Sequence, residues 1–320
     1  MPNVSIGIDI GGTNIRFGIV DRAGNITARK RIKTEAGEGF SRILGRLKKG
    51  ISSLEEKVSE GGYTLKGIGI GVPGIISSEE GIVRFSPNLP GWVDVPLRDA
   101  VAAFSKVSVH VENDANAYAL GEATFGAGRG ADSMLCITLG TGAGGGIILD
   151  KRLWRGENGM AGEVGHMTVE PRGYRCHCGN TGCLERYSSA TALVERTVQA
   201  LVKGKKSILS KMYELDPSSI TPEVVANAAR NGDRLAISMY GDVGMYLGIA
   251  SAGIINLLNI SRIVIGGGLA GSWDLFIGPL KAEIKARAFN IPASRCDVVP
   301  GALGDDAGVL GAASLVKPLL

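Results

Sequence analysis

The sequence predicts an α/β protein built from two related halves, and three observations carry the prediction. Strand-like runs with period-two alternation are interleaved with segments of helical periodicity. A strand, glycine turn, strand pattern opens the chain and recurs near its middle. At 320 residues the chain is long enough for two domains with cores of their own.

In order, Val4–Ile10 and Ile15–Asp21 alternate on either side of Gly11-Gly12-Thr13-Asn14, which reads as a β-hairpin. Ile26–Lys33 is a third strand. Over residues 39–59, Phe40, Ile43, Leu44, Leu47, Ile51, Leu54 and Val58 recur at spacings of three and four, as on one face of a helix. Gly67–Val72 is a short buried strand, Ser86–Pro96 a loop rich in Pro and Gly, and Val107–Val111 a strand. Asp114 opens a helix through Ala123. The second pass runs from strand Met134–Leu139 through a glycine turn, Gly140–Gly146, into strand Ile147–Asp150.

Beyond residue 185 the pattern is mainly helical. Thr221-Pro222-Glu223 is a helix start, with a Thr cap and Pro at the first helical position. Leu235–Leu258 is a long apolar helix, Arg262–Ile265 a strand, Gly266–Gly271 a turn and Trp273–Ala288 a helix. A strand from Cys296 to Val299 and a closing helix from Asp306 to Val316 complete the chain. The expected domains are residues 1–115, completed by about 302–320, and residues 116–301.

Composition excludes several classes. The net charge of +4 is modest, and the basic stretch Arg29, Lys30, Arg31, Lys33 reads as a solvated face rather than a nucleic-acid surface. No leader peptide is visible and no apolar stretch reaches the ~18 residues of a membrane span, so the expectation is a cytoplasmic protein with neither nucleic acid nor membrane as partner. The 48 glycines are about twice the average share of ~7%, which predicts many tight turns and close approaches of backbone to ligand.

Glycine clusters follow three strands: Gly11-Gly12, Gly140–Gly146 and Gly266–Gly271. Each alone is compatible with a plain turn; glycines also let backbone N–H groups converge on phosphate oxygens. Two clusters formally match GxGxxG. The first is followed by strand-like Ile147–Asp150 instead of the helix a dinucleotide site needs. The second precedes a helix, but Asp297 begins the next strand, where a ribose-binding acid should end it. No Walker A sequence occurs. Two glycine-turned hairpins point instead to a nucleotide held by two related domains. Asp9, just before the first turn, either caps that turn or faces the phosphates with Mg²⁺.

Asp114 also has two readings. At a strand-to-helix junction it can be an ordinary N-cap, or an ionised carboxylate, favoured by the helix dipole, that accepts a proton from an alcohol. Asn88, in the stiff loop Pro87–Trp92, is a candidate hydroxyl contact; Trp92 is read as core. His166, Cys176, Cys178 and Cys183 are four ligands of the kinds Zn²⁺ prefers, and four protein ligands make a structural site. His177 is the weaker ligand. A ligated His166 keeps a second ring nitrogen for a substrate.

These residues resemble the ROK family of sugar kinases and sugar-responsive repressors over essentially the whole chain. Asp9-Ile-Gly11-Gly12-Thr13-Asn14 is similar to its first phosphate motif, Gly140-Thr141-Gly142 through Gly146 to its second, and Ile265-Gly266-Gly267-Gly268 through Gly271 to its adenosine-side motif. Gly162–His166 with Cys176–Glu185 is similar to the family signature, and Gly304–Gly308 is also typical.

The resemblance implies an actin-like ATPase (RNase H-like) fold, with two α/β domains flanking a cleft. It implies an ATP-dependent hexose kinase with Asp114 as base, glucose as first choice and an N-acetylhexosamine as the alternative. It further implies Asn88, Asn113, Glu163, His166 and Glu185 as sugar contacts, zinc at His166, Cys176, Cys178 and Cys183, and a homodimer or homotetramer. Repressors of the family carry a DNA-binding domain before the first motif; here eight residues precede Asp9, so the regulator reading lacks that domain.

Overall fold

The computed structural model describes residues 1–316; the last four residues of the expected first domain lie outside the described residues. In chain order the elements are β1 (Asn3–Ile10), β2 (Asn14–Asp21), β3 (Ile26–Lys33), α1 (Phe40–Glu60), β4 (Thr64–Val72), β5 (Ile75–Ser77), β6 (Ile82–Phe85), β7 (Val93–Val95), α2 (Leu97–Ala102), β8 (Ser108–Asn113) and α3 (Asp114–Phe125). There follow β9 (Met134–Leu139), β10 (Ala143–Leu149), β11 (Arg152–Trp154), α4 (Glu185–Ser188), α5 (Ala190–Val202), α6 (Ser210–Leu215), α7 (Pro222–Arg230) and α8 (Arg234–Leu258). The chain closes with β12 (Arg262–Gly266), α9 (Trp273–Arg287), α10 (Asn290–Arg295), β13 (Asp297–Pro300) and α11 (Ala307–Ser314).

Two five-stranded sheets have the same internal order, β3-β2-β1-β4-β8 and β11-β10-β9-β12-β13. The repeat read in the residues thus extends to the strand order of the two sheets. The chain divides into two compact units. One comprises residues 1–136, 146–162 and 302 onward; the other comprises 137–145 and 163–301. The division runs through β9 and β10. Helix α3, which starts at the boundary expected from the sequence, belongs to the first unit, where it packs on α11.

In the first unit β1 runs antiparallel to β2 and parallel to β4, and β4 runs parallel to β8. Ile6, Ile8 and Ile10 of β1 are fully buried, as are Ile43, Leu47, Ile51 and Leu54 of the predicted α1 stripe. The small sheet β5-β6-β7 was not foreseen, because strands of three or four residues carry too few alternations to register. The glycine turn of the second hairpin is shorter than expected. Strand β10 begins at Ala143, so Gly144, Gly145 and Gly146 are strand residues and the turn is Gly140–Gly142. Trp92 is core, 1% exposed and edge-on to Phe40 at 5.2 Å between ring centres.

In the second unit Thr221 caps α7 through its hydroxyl, with Pro222 at the first helical position, as read. One expectation is corrected: α8, at 25 residues, is long and apolar enough by composition to cross a membrane. Half of its most apolar window is buried inside the protein, and it packs along α9 and α7, the pattern of a core helix.

Helix α11 closes the first unit against β1, β4 and α3, and two glycines let it do so. A Cβ at Gly69 of β4 would stand 1.7 Å from the Ala312 carbonyl oxygen, and one at Gly311 of α11 would stand 1.6 Å from that of Ala117. Both obstacles are backbone, which cannot swing aside. Gly311→Ala should therefore lower stability by at least about 1–3 kcal/mol, the usual overpacking cost. A denaturant melt with an unchanged midpoint would contradict this packing.

Candidate active site

Parallel strands place ligand sites beyond their carboxyl ends, and the first unit puts its candidate residues there. Asp9 of β1 is in register with Gly71 of β4, and Gly71 with Glu112 of β8. Asp9 and the Glu112–Asp114 run thus share one edge of one sheet, two strand spacings or about 10 Å apart. The first glycine turn leaves β1 at the same edge. It is pinned by Gly11 N–H donating to the Asn14 carbonyl at 2.9 Å, and by the Thr34 hydroxyl donating to the Gly11 carbonyl at 2.6 Å. Gly12 and Thr13 are left exposed at its tip. Asn88 is exposed beside it: a Cβ on Gly12 would lie 3.8 Å from the Asn88 Cβ.

The cap of α3 is Asn113 and not Asp114. The Asn113 side-chain oxygen accepts from the N–H groups of Ala115 at 2.9 Å and Asn116 at 3.1 Å, and its amide nitrogen donates to the Gly74 carbonyl at 3.0 Å. Asp114 is the first helical residue, partly exposed, with Oδ1 accepting from Ala115 N–H at 2.9 Å. The capping alternative weighed for Asp114 from its spacing thus falls to its neighbour. Asn113, expected to touch sugar, spends its carbonyl and one amide hydrogen inside the protein.

Asp9 is 16% exposed, and Arg16, directly across the hairpin, donates to its Oδ2 at 3.2 Å while also reaching Asp305 at 3.2 Å. Burial raises the Asp9 carboxyl above its ordinary range, and the Arg16 charge works against that rise. Arg16 therefore supplies a neutralising charge the sequence reading missed, and Asp9 by itself does not demand a metal. The two residues are seven positions apart, and the hairpin register brings them opposite each other.

The second unit gathers a matching set. The turn Gly140–Gly142 is closed by Gly140 N–H donating to the Gly142 carbonyl at 2.9 Å. Gly267, at φ 83°, presses so closely on the residue before that turn that a Cβ would lie 2.5 Å from the Leu139 carbonyl oxygen. Glu185 joins them: its Oε2 accepts from the Ala143 N–H at 3.0 Å. The Gly266–Gly268 turn, the Gly140–Gly142 turn and Glu185 are thus one constellation. The competing dinucleotide reading fares as the residues indicated, since Asp297 opens β13 and faces Arg262 at 3.8 Å on the surface.

His166, Cys176, Cys178 and Cys183 converge, with all four ligand atoms within 4.8 Å of one another. Cys178 Sγ and Cys183 Sγ are 3.7 Å apart, close to the ~3.75 Å that tetrahedral ligation at about 2.3 Å gives. Cys176 Sγ faces Nδ1 of His166 at 3.8 Å, and Nε2 faces Glu163 at 4.0 Å. Burial and the neighbouring thiols push the Cys183 thiol up to about 12, so a thiolate there needs a cation beside it. His177 is exposed and outside the cluster. The donor set fits a structural zinc ion, and it leaves Nε2 of His166 facing the Glu163 carboxylate.

Sequence reasoning missed Glu112, which is 1% exposed and bonded to Arg155. It also missed Glu122, fully buried, whose carboxylate accepts from the N–H groups of Ala127, Ala302 and Leu303. Each has a partner far along the chain that the sequence does not reveal: Arg155 for Glu112, and the N–H groups of Ala302 and Leu303 for Glu122.

The ROK family model matches residues 5–318. A glucokinase of Thermotoga maritima is 38% identical over 318 residues, covering 99% of this chain and 98% of that protein. A xylose repressor of Caldicellulosiruptor bescii is 34% identical over 97% of this chain and 77% of its own length. The crystal structure of a ROK family glucokinase from Streptomyces griseus, in complex with glucose and AMPPNP, superposes with a TM-score of 0.82 at 34% identity, over 98% of this chain and 99% of that one. With the family model matched over residues 5–318 and the two glucokinases covered over nearly their whole length, the chain belongs to the ROK family and has its actin-like ATPase fold.

Proposed function

We propose that the protein is an ATP-dependent hexose kinase that phosphorylates the 6-hydroxyl of glucose, with Asp114 as general base. The observation that carries the reading is the division of labour at the start of α3. Asn113 does the capping, and Asp114 stands beside it as the first helical residue, on the sheet edge shared with Asp9 and the first glycine turn. Full-length similarity to glucokinases supports the substrate.

In this reading the two short glycine turns hold the phosphate tail through backbone N–H groups, Gly12 and Thr13 from the first unit, Thr141 and Gly142 from the second, with the Gly266–Gly268 turn on the adenosine side. Asp9 would help to hold the Mg²⁺ that comes with ATP, an ion that would lower the charge on the phosphate oxygens. Asn88 and the remaining Asn113 N–H face sugar hydroxyls from the first unit, and Glu163, His166 and Glu185 from the second. Asp114 accepts the hydroxyl proton as its oxygen attacks the γ-phosphorus in line, and the ADP oxygen leaves. Catalysis is then chiefly positioning and charge stabilisation.

A coupled assay for ADP release across a hexose panel tests the activity, with glucose expected to give the highest kcat/KM. Asp114→Asn keeps the size and the helix start, and should lower kcat by ~10²–10⁴ while glucose still binds. Near-normal turnover in that variant would remove Asp114 from the role.

Zinc is proposed at His166, Cys176, Cys178 and Cys183. Elemental analysis should find one equivalent per chain, and Cys178→Ser should lose it. That variant should also raise the KM for hexose, because Glu163, His166 and Glu185 flank the cluster. An unchanged KM in metal-free protein would separate zinc from sugar binding.

A further inference from the structure

One buried carboxylate has no part in the chemistry above. Glu112 takes three donors on its two oxygens. Oε1 accepts from the Asn113 N–H at 3.0 Å and the Asn116 side-chain amide at 3.1 Å; Oε2 accepts from Arg155 Nε at 2.6 Å. A carboxylate this buried persists only with such donors and an opposite charge beside it. Among the described residues the charge comes from Arg155, 43 positions along the chain, the first residue after β11 and the start of a loop.

Both ends of this pair lead to proposed sugar-side residues. On one side, Asn113 and Asn116 are the cap and the third residue of α3, so Glu112 grips the first turn of the helix that presents Asp114. On the other, the Arg155 carbonyl accepts from the Ala161 N–H at 3.0 Å and closes the loop 155–161. That loop turns at Gly156 and Gly159, both at positive φ, and the next residues run through Gly162 directly into Glu163. A single charge pair therefore ties the start of α3 to the base of the chain that carries Glu163 and His166.

We infer that Glu112 and Arg155 are positioning residues that couple the hexose-binding loop to the placement of Asp114. This rests on the kinase reading. Neither side chain touches substrate: Glu112 acts through Asn113 and Asn116, and Arg155 through its loop. Because the Arg155 side chain is 41% exposed, its guanidinium can be replaced from solvent.

The test is Arg155→Ala in the full chain, with Arg155→Lys as the conservative variant. Arg155→Ala should lower kcat about tenfold to a hundredfold, the scale of a misplaced reacting group. It should raise KM for hexose several-fold and leave KM for ATP within a factor of two. Millimolar guanidinium should restore part of the lost kcat in Arg155→Ala and none in Arg155→Lys, which keeps a charge of its own and should retain intermediate activity. Amide hydrogen exchange over residues 113–118 should quicken in Arg155→Ala and slow again on adding guanidinium. Unchanged kinetics, or a loss that raises both KM values alike without guanidinium rescue, would overturn the inference. The exchange measurement needs no turnover. If the wild-type protein phosphorylates no hexose, the kinase reading fails by itself; unaltered exchange in the variant would then separately reject the pair as the tie on α3.

Discussion

The alignment of three parallel strands is the constraint on which the first unit depends. Residue for residue, β1, β4 and β8 place Asp9, Gly71 and Glu112 side by side at their carboxyl ends. A one-residue slip of β8 would send Asp114 to a different height and turn the buried Glu112 to the opposite face. The register is enforced by burial, since Ile6, Ile8, Ile68 and Ile70 have no exposure, and by α11, whose backbone lies against the glycines of the same strands.

The junction of β8 with α3 shows how adjacent polar residues divide incompatible tasks. A helix start must satisfy its unpaired N–H groups, and a side chain that does so is held by the helix and not by a ligand. Asn113 takes that duty, Glu112 braces the cap from below, and Asp114 occupies the first helical position. The second unit uses a comparable economy. Glu185 bonds to the backbone at the end of a glycine turn, and two residues before it Cys183 belongs to the thiol cluster, so one short segment links the proposed phosphate, sugar and metal sites.

Local patterns were legible in the residues. The first hairpin, the stripe of α1, the Thr221 cap and the cysteine cluster all follow from spacing, because each is decided by neighbours a few positions apart. What escaped the sequence depends on distant partners. Arg16 beside Asp9, Arg155 beside Glu112, and the Ala302 and Leu303 N–H groups on Glu122 are set by the sheet and by the returning chain. The glycine excess was read mainly as turns and room for a ligand. Part of it instead serves helix-on-sheet contact at Gly69 and Gly311, and three glycines after the second turn are strand residues. For helix α8 the sequence reading set the apolar length too low: the helix is long and apolar enough by composition to cross a membrane, and half of its most apolar window is buried inside the protein.

The central claim is that the Asp114 carboxylate faces the alcohol that receives the phosphoryl group. A crystal structure of the protein with glucose and a non-hydrolysable ATP analogue tests it most directly. The account predicts the sugar 6-hydroxyl within about 2.6–3.2 Å of an Asp114 oxygen, with the γ-phosphorus on the far side of that hydroxyl. Glucose bound with its 6-hydroxyl away from Asp114, or that carboxylate turned into the protein, would contradict it.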